Sequence, residues 1–197
     1  LGISHLIPAL TKAGLTEEAF RLLQNEDNPS WLYSVRNGAT TIWERWDSYI
    51  AETDTFGDVA MNSFNHYAYG AVGQWLYSDI LGIKKSEKLD DAGYKKFILQ
   101  PTVGGTLEYA NGKYESSYGE IISEWKIDGN KFIYKCTVPA NTSALLRLPV
   151  KDGASITESG SSAYVSEDAI YLGTDNGRAI FELKSGSYMF ETEFDPF

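Results

Sequence analysis

The spacing of apolar residues changes once along this chain, near Gly93. Before that point, apolar side chains recur at intervals of three and four residues, as they do in amphipathic helices. After it, they alternate with polar side chains in short runs that are separated by glycine-containing turns, which is typical of β-strands. The pattern therefore predicts an α+β multidomain fold, with helices first and strands second.

The helical part is predicted to cover residues 1–83. Thr16 is the expected N-cap of a helix, because two glutamates follow it directly. The stretch "TTIWERWDSYI" is compatible with a helix that Thr40 or Thr41 would cap. The segment "WLYSVRNG" before it is ambiguous.

The stretch from Val59 to Ile80 is predicted to form one long helix. Its apolar residues follow helical spacing, and no charged residue occurs between Asp58 and Asp79. A surface helix of that length would carry charges, so we expect both of its faces to be buried, one in the core and one against a neighbour or a cavity. Asn62 and His66 are four residues apart and would share one face.

The β-rich part is predicted to cover residues 94–197, after a charged connector at 84–93. The runs "GEIISEWKI" and "KFIYKCTV", joined by "DGN", indicate a hairpin. Asn111-Gly112 is interpreted as a second turn. About seven or eight short strands are expected in all, and they would form an antiparallel β-sandwich.

Charge and composition limit the function classes. The net charge of −10 argues against nucleic acid or an anionic membrane as a partner, and no apolar run reaches the roughly 18 residues of a membrane span. Aromatic residues make up 14% of the chain, which suits a large packed core, a carbohydrate site or both. The one cysteine, Cys136, lies on the apolar face of an alternating run, and no residues have zinc or calcium spacing, so neither a metal nor another cofactor is expected. A single thiol leaves periplasmic, extracellular and cytoplasmic locations open.

Glu44 lies between Trp43 and Trp46, and two interpretations of this placement compete. It could be a solvated carboxylate near two structural tryptophans, or a catalytic acid or base in a sugar-sized pocket. His66 is similarly either a satisfied core histidine or a ligand of substrate. With Asn62 beside it, the pair would suit a neutral polyol.

Two long motifs carry a family resemblance. "PSWLYSVRNGATTIWERWDS", followed by "MNSFNHYAYGAVGQWLY", resembles the C-terminal part of bacterial α-L-rhamnosidases of glycoside hydrolase family 78. The resemblance extends to "SSYGEIISEW" and "VPANTSALLRLPV" and covers essentially the whole chain. It implies that residues 1–83 are the last helices of an (α/α)6 catalytic barrel and that residues 94–197 are the β-sandwich after it.

The resemblance implies an inverting glycosidase that releases terminal α-L-rhamnose from a glycoside or polysaccharide. Glu44 matches the general base of the family, and His66 matches a histidine that hydrogen-bonds sugar hydroxyls. Trp43, Trp46 and Asn62 are the further candidates for contact with substrate. The general acid of the family lies upstream of the part matched here, so the partner of this chain would be the upstream part of the same polypeptide, and the chain alone is expected to be inactive.

A second function class stays open, namely a non-catalytic carbohydrate-binding or domain-docking module with the same fold. Such a module would tolerate Glu44→Gln, whereas the enzyme would lose most of its turnover. The chain opens with "LGISHLIPAL" and no charged leader, which indicates a piece of a longer polypeptide.

Overall fold

The chain forms two compact units, Leu1–Trp75 and Leu76–Phe197. The structure is a computed structural model, and it describes residues 2–86 and 89–194. The first unit contains short helices joined by an irregular loop, and the second is built from two β-sheets. None of the described helices is long and apolar enough to cross a membrane.

The helices of the first unit pack around Trp75. They are α1 (Ile3–Lys12), α2 (Thr16–Leu23), α3 (Trp31–Arg36), a 3-10 turn (Ala68–Ala71) and α4 (Val72–Trp75). The ring of Phe20 in α2 meets the Trp75 ring edge-on with centroids 5.3 Å apart. The indole Nε1–H of Trp75 donates to Thr11 Oγ1 of α1 at 2.8 Å. Trp75 therefore ties α1, α2 and α4 into one core.

Two helix starts differ from the sequence prediction. Leu15, not Thr16, is the N-cap of α2, and its side chain makes no capping hydrogen bond. The ambiguous segment forms α3, because Ser30 Oγ accepts from the Tyr33 N–H at 2.9 Å and so caps the helix.

The long helix predicted from Val59 to Ile80 is wrong over its first half. Helical structure begins only at Ala68, and residues 59–67 form an irregular loop. Val59 and Tyr67 are 83% and 88% exposed, so the expected burial of both faces is not seen within this chain, and burial of one face against a neighbour stays a prediction. The possible helix over residues 40–50 is wrong as well: that segment is a loop that ends in strand β1 (Tyr49–Ile50), which pairs with β2 (Thr55–Phe56).

The second unit opens with a π-helical turn, Leu76–Ile80, and then forms eleven strands in the described residues. The strands are β3 (Ile83–Lys85), β4 (Lys96–Leu99), β5 (Tyr109–Ser116), β6 (Gly119–Asp128), β7 (Lys131–Val138), β8 (Ser143–Pro149), β9 (Ile156–Glu158), β10 (Ser161–Ser162), β11 (Ala169–Asp175), β12 (Arg178–Leu183) and β13 (Gly186–Glu193). Short 3-10 segments, Leu89–Tyr94 and Ala163–Val165, lie between them.

These strands form a six-stranded sheet in the order β10-β9-β13-β7-β6-β5 and a five-stranded sheet in the order β11-β12-β8-β4-β3. Among the described strands the pairing is antiparallel except between β4 and β8, which run parallel. The rings of Phe181 on β12 and Phe190 on β13 meet with centroids 5.1 Å apart, so the two sheets face one another. The predicted β-sandwich is confirmed, but it is not purely antiparallel, and its described part has eleven strands where seven or eight were expected.

One predicted turn is correct and another is wrong. The β6–β7 hairpin turns between Asp128 and Lys131 as expected. Asn111-Gly112, in contrast, lies inside β5. Gly112 packs closely there, because a Cβ on it would come within 2.4 Å of Leu81 Cδ1 and the Leu81 side chain would have to shift. The sequence signal was a tight contact rather than a turn.

The predicted connector at 84–93 contains regular structure in its described part. Strand β3 extends through Lys85 and pairs with β4. Residues 87 and 88 of the connector, and the last residues of the predicted sandwich, 195–197, lie outside the described residues. The domain limits drawn from the sequence stay a prediction.

Candidate functional site

Backbone hydrogen bonds join the two motif segments of the first unit side by side. The N–H of Glu44 donates to the Ser63 carbonyl at 2.8 Å, and the N–H of His66 donates to the Ile42 carbonyl at 2.8 Å. The Thr41 hydroxyl also donates to the Phe64 carbonyl. Because these groups bond across to the other segment, they are not available for a helix, which explains why both helical predictions failed here. The same bonds bring Glu44 and His66 onto one paired loop.

The Glu44 carboxylate is held by the same residue that holds its backbone. Its Oε2 accepts a hydrogen bond from the Ser63 N–H at 2.8 Å. The side chain is half-buried, and within the described residues its second oxygen makes no hydrogen bond. One oxygen is thus fixed by the protein, while the other can accept a proton or a hydrogen bond from a water or a hydroxyl group.

The ring of His66 has its two nitrogens in different environments. Its Nδ1 accepts a hydrogen bond from the Ala68 N–H at 3.2 Å. In the neutral ring this assigns the proton to Nε2, which is then a donor. The Tyr67 ring stacks on the imidazole with centroids 5.2 Å apart and planes 10° from parallel. His66 therefore presents an oriented N–H donor from the loop.

Asn62 lies on the loop and not, as predicted, on a helical face shared with His66. Its Nδ2 donates to the Ser48 carbonyl at 2.9 Å, and the Gly57 N–H donates to the same carbonyl at 3.1 Å. Its Oδ1 is buried and has no hydrogen-bond partner in the described residues. A buried oxygen without a hydrogen bond lowers stability unless a ligand or a water donates to it. Asn62 therefore holds the loop through Nδ2 and has a free acceptor in Oδ1.

The two tryptophans that flank Glu44 occupy different environments. Trp43 is buried and meets the rings of Phe64 and Tyr49 edge-on, with centroids 5.4 Å and 6.5 Å apart. Trp46 is half-buried and stacks on Tyr69 with centroids 3.7 Å apart and planes 4° from parallel. Glu44 thus lies between a buried tryptophan, Trp43, and a half-buried one, Trp46.

A cavity of about 280 Å³ lies beside this segment and is lined by aromatic and small side chains. Trp43 and Trp46 contribute to it, together with Trp31, Val35 and Tyr69. Glu44, Asn62 and His66 are not among its lining residues. The structure therefore places the five predicted site residues on one paired loop, but only the tryptophans line the cavity.

Trp31 and Tyr69 are lining residues that sequence reasoning missed. The indole Nε1–H of Trp31 donates to the Tyr69 carbonyl at 2.9 Å, and the Trp31 ring meets Trp46 edge-on at 5.2 Å. Burial, helped by the negative charge of Asp47, raises the pKa of the Tyr69 hydroxyl. The available signal was the presence of Trp31 in the first quoted motif and of Tyr69 in the second.

Three acids around the loop have side-chain partners. Asp58 pairs with Arg45 at 3.6 Å, Glu52 accepts from the Tyr33 hydroxyl at 3.3 Å, and Asp54 accepts from the Tyr49 hydroxyl at 3.0 Å. Within the described residues, no three His, Cys, Asp or Glu side chains lie close enough together to hold a metal ion.

Two protein-family models match the chain in sequence order. The model of the bacterial α-L-rhamnosidase six-hairpin glycosidase domain matches residues 1–80, and the model of the bacterial α-L-rhamnosidase C-terminal domain matches residues 82–163. The chain belongs to the bacterial α-L-rhamnosidase family. Its helical unit corresponds to the end of the six-hairpin domain of this family, and its strands correspond to the C-terminal domain that follows.

Named rhamnosidases agree with this assignment. The chain is 38% identical over 190 residues to an α-L-rhamnosidase of Streptomyces avermitilis, and this match covers 96% of the chain and 17% of that protein. It is 34% identical over 194 residues to an α-L-rhamnosidase of Formosa agariphila, covering 98% of the chain and 20% of that protein. The crystal structure of the Streptomyces avermitilis α-L-rhamnosidase complexed with L-rhamnose superposes with a TM-score of 0.85 at 36% identity, over 97% of this chain and 17% of that one. This rhamnosidase-family chain thus spans about a fifth of the length of the relatives it matches.

Proposed function

We propose that this chain is the C-terminal part of an inverting glycosidase that hydrolyses terminal α-L-rhamnosides, with Glu44 as its general base. The observation that carries the proposal is the state of the Glu44 carboxylate. Ser63 bonds both its backbone N–H and its Oε2, while within the described residues its other oxygen makes no hydrogen bond. A general base needs this combination of a fixed orientation and a free acceptor.

The reaction requires two carboxyl groups with room for a water between the base and the sugar. In inverting glycosidases the two groups lie about 6.5–9.5 Å apart. Glu44 would take a proton from that water as the water oxygen attacks the anomeric carbon. The bond from the anomeric carbon to the leaving oxygen breaks in the same step, and the general acid gives its proton to that oxygen. The sugar leaves with inverted configuration.

The general acid is proposed to come from the upstream part of the same polypeptide. The family resemblance assigns it there, and the described acids of the helical unit other than Glu44 include several with partners of their own: Glu52, Asp54 and Asp58. Substrate would be a rhamnose-containing glycoside or polysaccharide. On this proposal the chain supplies one wall of the site and half of the catalytic pair.

The remaining loop residues are proposed to hold the sugar. His66 can donate from Nε2 to a sugar hydroxyl, because its Nδ1 is already bonded to the Ala68 N–H. Asn62 Oδ1 can accept from a hydroxyl or from a bound water, because no group in the described residues uses it. Trp43 and Trp46 line the neighbouring cavity and are proposed as its apolar wall, which would exclude competing water.

The test is hydrolysis of an aryl α-L-rhamnoside by the natural full-length polypeptide that contains this chain, with and without Glu44→Gln. Glutamine keeps an acceptor for the Ser63 N–H but cannot take a proton, so we expect kcat to fall by about 10²–10⁴ with little change in KM. NMR should detect β-rhamnose as the first product. Glu52→Gln is the matched control, because Glu52 belongs to the same unit and bonds to Tyr33; its turnover should stay near that of the parent.

Each other result has a definite meaning. Turnover that survives in Glu44→Gln would assign the base to another residue. α-Rhamnose as the first product would establish a retaining mechanism. A parent polypeptide with no turnover would favour the non-catalytic carbohydrate-binding or domain-docking module.

A further inference from the structure

The six-stranded sheet of the second unit carries a groove on its outer face, away from the sandwich core. Side chains alternate along each strand: Trp125 and Tyr134 are buried, whereas their neighbours Glu124 and Lys135 point to the opposite face. Two cavities open there, one of about 220 Å³ and one of about 300 Å³. Both are lined by Glu124 and Lys135, so they join at this pair.

The pairing register arranges the groove residues in one row across the strands. Asn111 lies opposite Glu124, Glu124 lies opposite Lys135, and Lys135 lies opposite Met189. The N–H of Ser159 bonds to the Met189 carbonyl at 2.9 Å and continues the row. Neighbouring strands are about 4.8 Å apart, so the row over these four strands and the adjoining Ser159 runs for about 19 Å. We call this row, with Tyr109 at its rim, the sheet groove.

The two charged side chains at the centre of the sheet groove do not pair with each other. Glu124 and Lys135 face each other across β6 and β7, and opposite charges in this position commonly pair. Within the described residues, however, neither side chain makes an ion pair or a hydrogen bond, and the same is true of the Asn111 amide. On the same sheet face, by contrast, Lys113 pairs with Glu120 at 2.6 Å and Lys131 pairs with Glu191 at 3.7 Å. The groove thus contains a carboxylate, an ammonium and an amide that are available to a ligand.

These groups favour a neutral polyhydroxylated ligand over other classes. Sugar hydroxyls both donate and accept, so they can bond to Glu124, Lys135 and Asn111 together. The Tyr109 ring is 66% exposed and lines the first cavity, where it can pack on the apolar face of a sugar ring. An anionic polymer would meet the Glu124 carboxylate at the centre of the groove, on a chain of net charge −10.

We propose that the sheet groove binds a neutral polysaccharide chain, as a second carbohydrate site separate from Glu44. The evidence for it lies wholly within the second unit and stands whether or not the proposed hydrolysis is correct. A row about 19 Å long fits an extended glycan laid across the strands better than a single sugar.

The test is affinity electrophoresis of the natural full-length polypeptide in gels that contain a rhamnan, an arabinan, a xylan or a mannan. Glu44→Gln is present throughout, so that the probe is not degraded. At least one of the four polysaccharides should retard the parent. The double variant Tyr109→Ala with Glu124→Ala should bind that polysaccharide at least about tenfold more weakly, since it loses an aromatic contact and a charged hydrogen-bond acceptor. Glu120→Ala is the matched control, because Glu120 lies on the same strand and face but lines neither cavity.

A second measurement separates this proposal from the proposed hydrolysis. With Glu44 intact, the groove variants should leave kcat and KM for a small aryl α-L-rhamnoside unchanged. Retardation by none of the four polysaccharides would overturn the groove proposal. Unchanged retardation in the double variant, or an equal loss in Glu120→Ala, would overturn it too.

Discussion

At the scale of single residues, the candidate site depends on backbone groups as much as on side chains. Glu44 is bonded twice to Ser63, once through its own N–H and once through Oε2. The motif resemblance was enough to single out Glu44 and His66. It could not reveal the role of Ser63, because a backbone donor carries no side-chain signature in a sequence. The same holds for Ala68, whose N–H orients the His66 ring.

His66 provides a prediction at this scale. In the full-length polypeptide, His66→Ala should raise KM for an aryl α-L-rhamnoside by about 3–10-fold, the value of one lost neutral hydrogen bond of about 0.5–1.5 kcal/mol. The effect on kcat should be smaller, since the lost contact is to a sugar hydroxyl rather than to the reacting atoms. Steady-state kinetics over a range of substrate concentrations would measure both.

His66→Asn separates substrate contact from loop structure. The asparagine oxygen can still accept from the N–H two residues on, as histidine Nδ1 does, but its amide does not extend to the position of Nε2. We expect KM to rise in His66→Asn as it does in His66→Ala. If KM rises only in His66→Ala, then His66 shapes the loop and does not contact the sugar.

At the scale of elements, the sequence was informative where the structure depends on near neighbours. The β6–β7 hairpin follows from alternation and a glycine turn, and α2 follows from two acidic residues at its start. The sequence misled where partners are distant in the chain. Residues 59–67 have helical spacing, but Ser63 and His66 bond instead to a segment some twenty residues earlier. Asn111-Gly112 resembles a turn because Asn-Gly is common in turns. Its close contact with Leu81, which is distant in the chain, cannot be inferred from the neighbouring residues.

Gly82 provides a prediction for the second unit. Its φ is +75°, and a Cβ on it would lie 2.1 Å from the backbone carbon of Gln100. Gly82→Ala should therefore lower the free energy of unfolding by about 3 kcal/mol or more, because left-handed strain and a backbone clash add together. Urea unfolding followed by tryptophan fluorescence would measure the loss.

Gly177 is the matched control for Gly82. Its φ is +68°, but no atom lies within 4 Å of the position of a Cβ. Gly177→Ala should cost only the left-handed strain, about 1–2 kcal/mol. Equal losses of unfolding free energy at the two glycines would mean that the backbone near Gln100 moves aside. The prediction of a backbone clash at Gly82 would then be wrong.

At the scale of the whole molecule, buried ionisable groups predict a loss of stability in alkali. Burial raises the pKa of the Tyr188 hydroxyl to about 12 and raises the pKa of Tyr134 well above its usual value. The unfolded chain releases these protons near pH 10. Between about pH 10 and about pH 12, these two tyrosines are protonated in the folded state but lose their protons in the unfolded state. The free energy of unfolding should therefore fall as pH rises through this range.

Unfolding midpoints in urea between pH 8 and pH 12 would measure this slope. Tyr188→Phe should make it shallower, although the variant is less stable at neutral pH because it loses the hydrogen bonds to the Lys184 and Asp168 carbonyls, at 2.8 Å and 3.1 Å. Tyr109→Phe, which removes the hydroxyl of an exposed tyrosine, serves as the control. A slope that is the same in the parent and in Tyr188→Phe would contradict the assigned cause.

The proposed division of the active site between this chain and an upstream segment leads to the last prediction. The 197-residue chain alone should not hydrolyse an aryl α-L-rhamnoside, because it would supply the base without the acid that protonates the leaving oxygen. Circular dichroism of the same sample should show a folded protein, so that inactivity is not mistaken for unfolding. Adding the upstream part of the polypeptide as a separate chain should restore turnover, and it should fail to do so with Glu44→Gln. Turnover by the 197-residue chain alone that disappears in Glu44→Gln would mean that both carboxyl groups lie within it, and the upstream origin of the acid would be wrong.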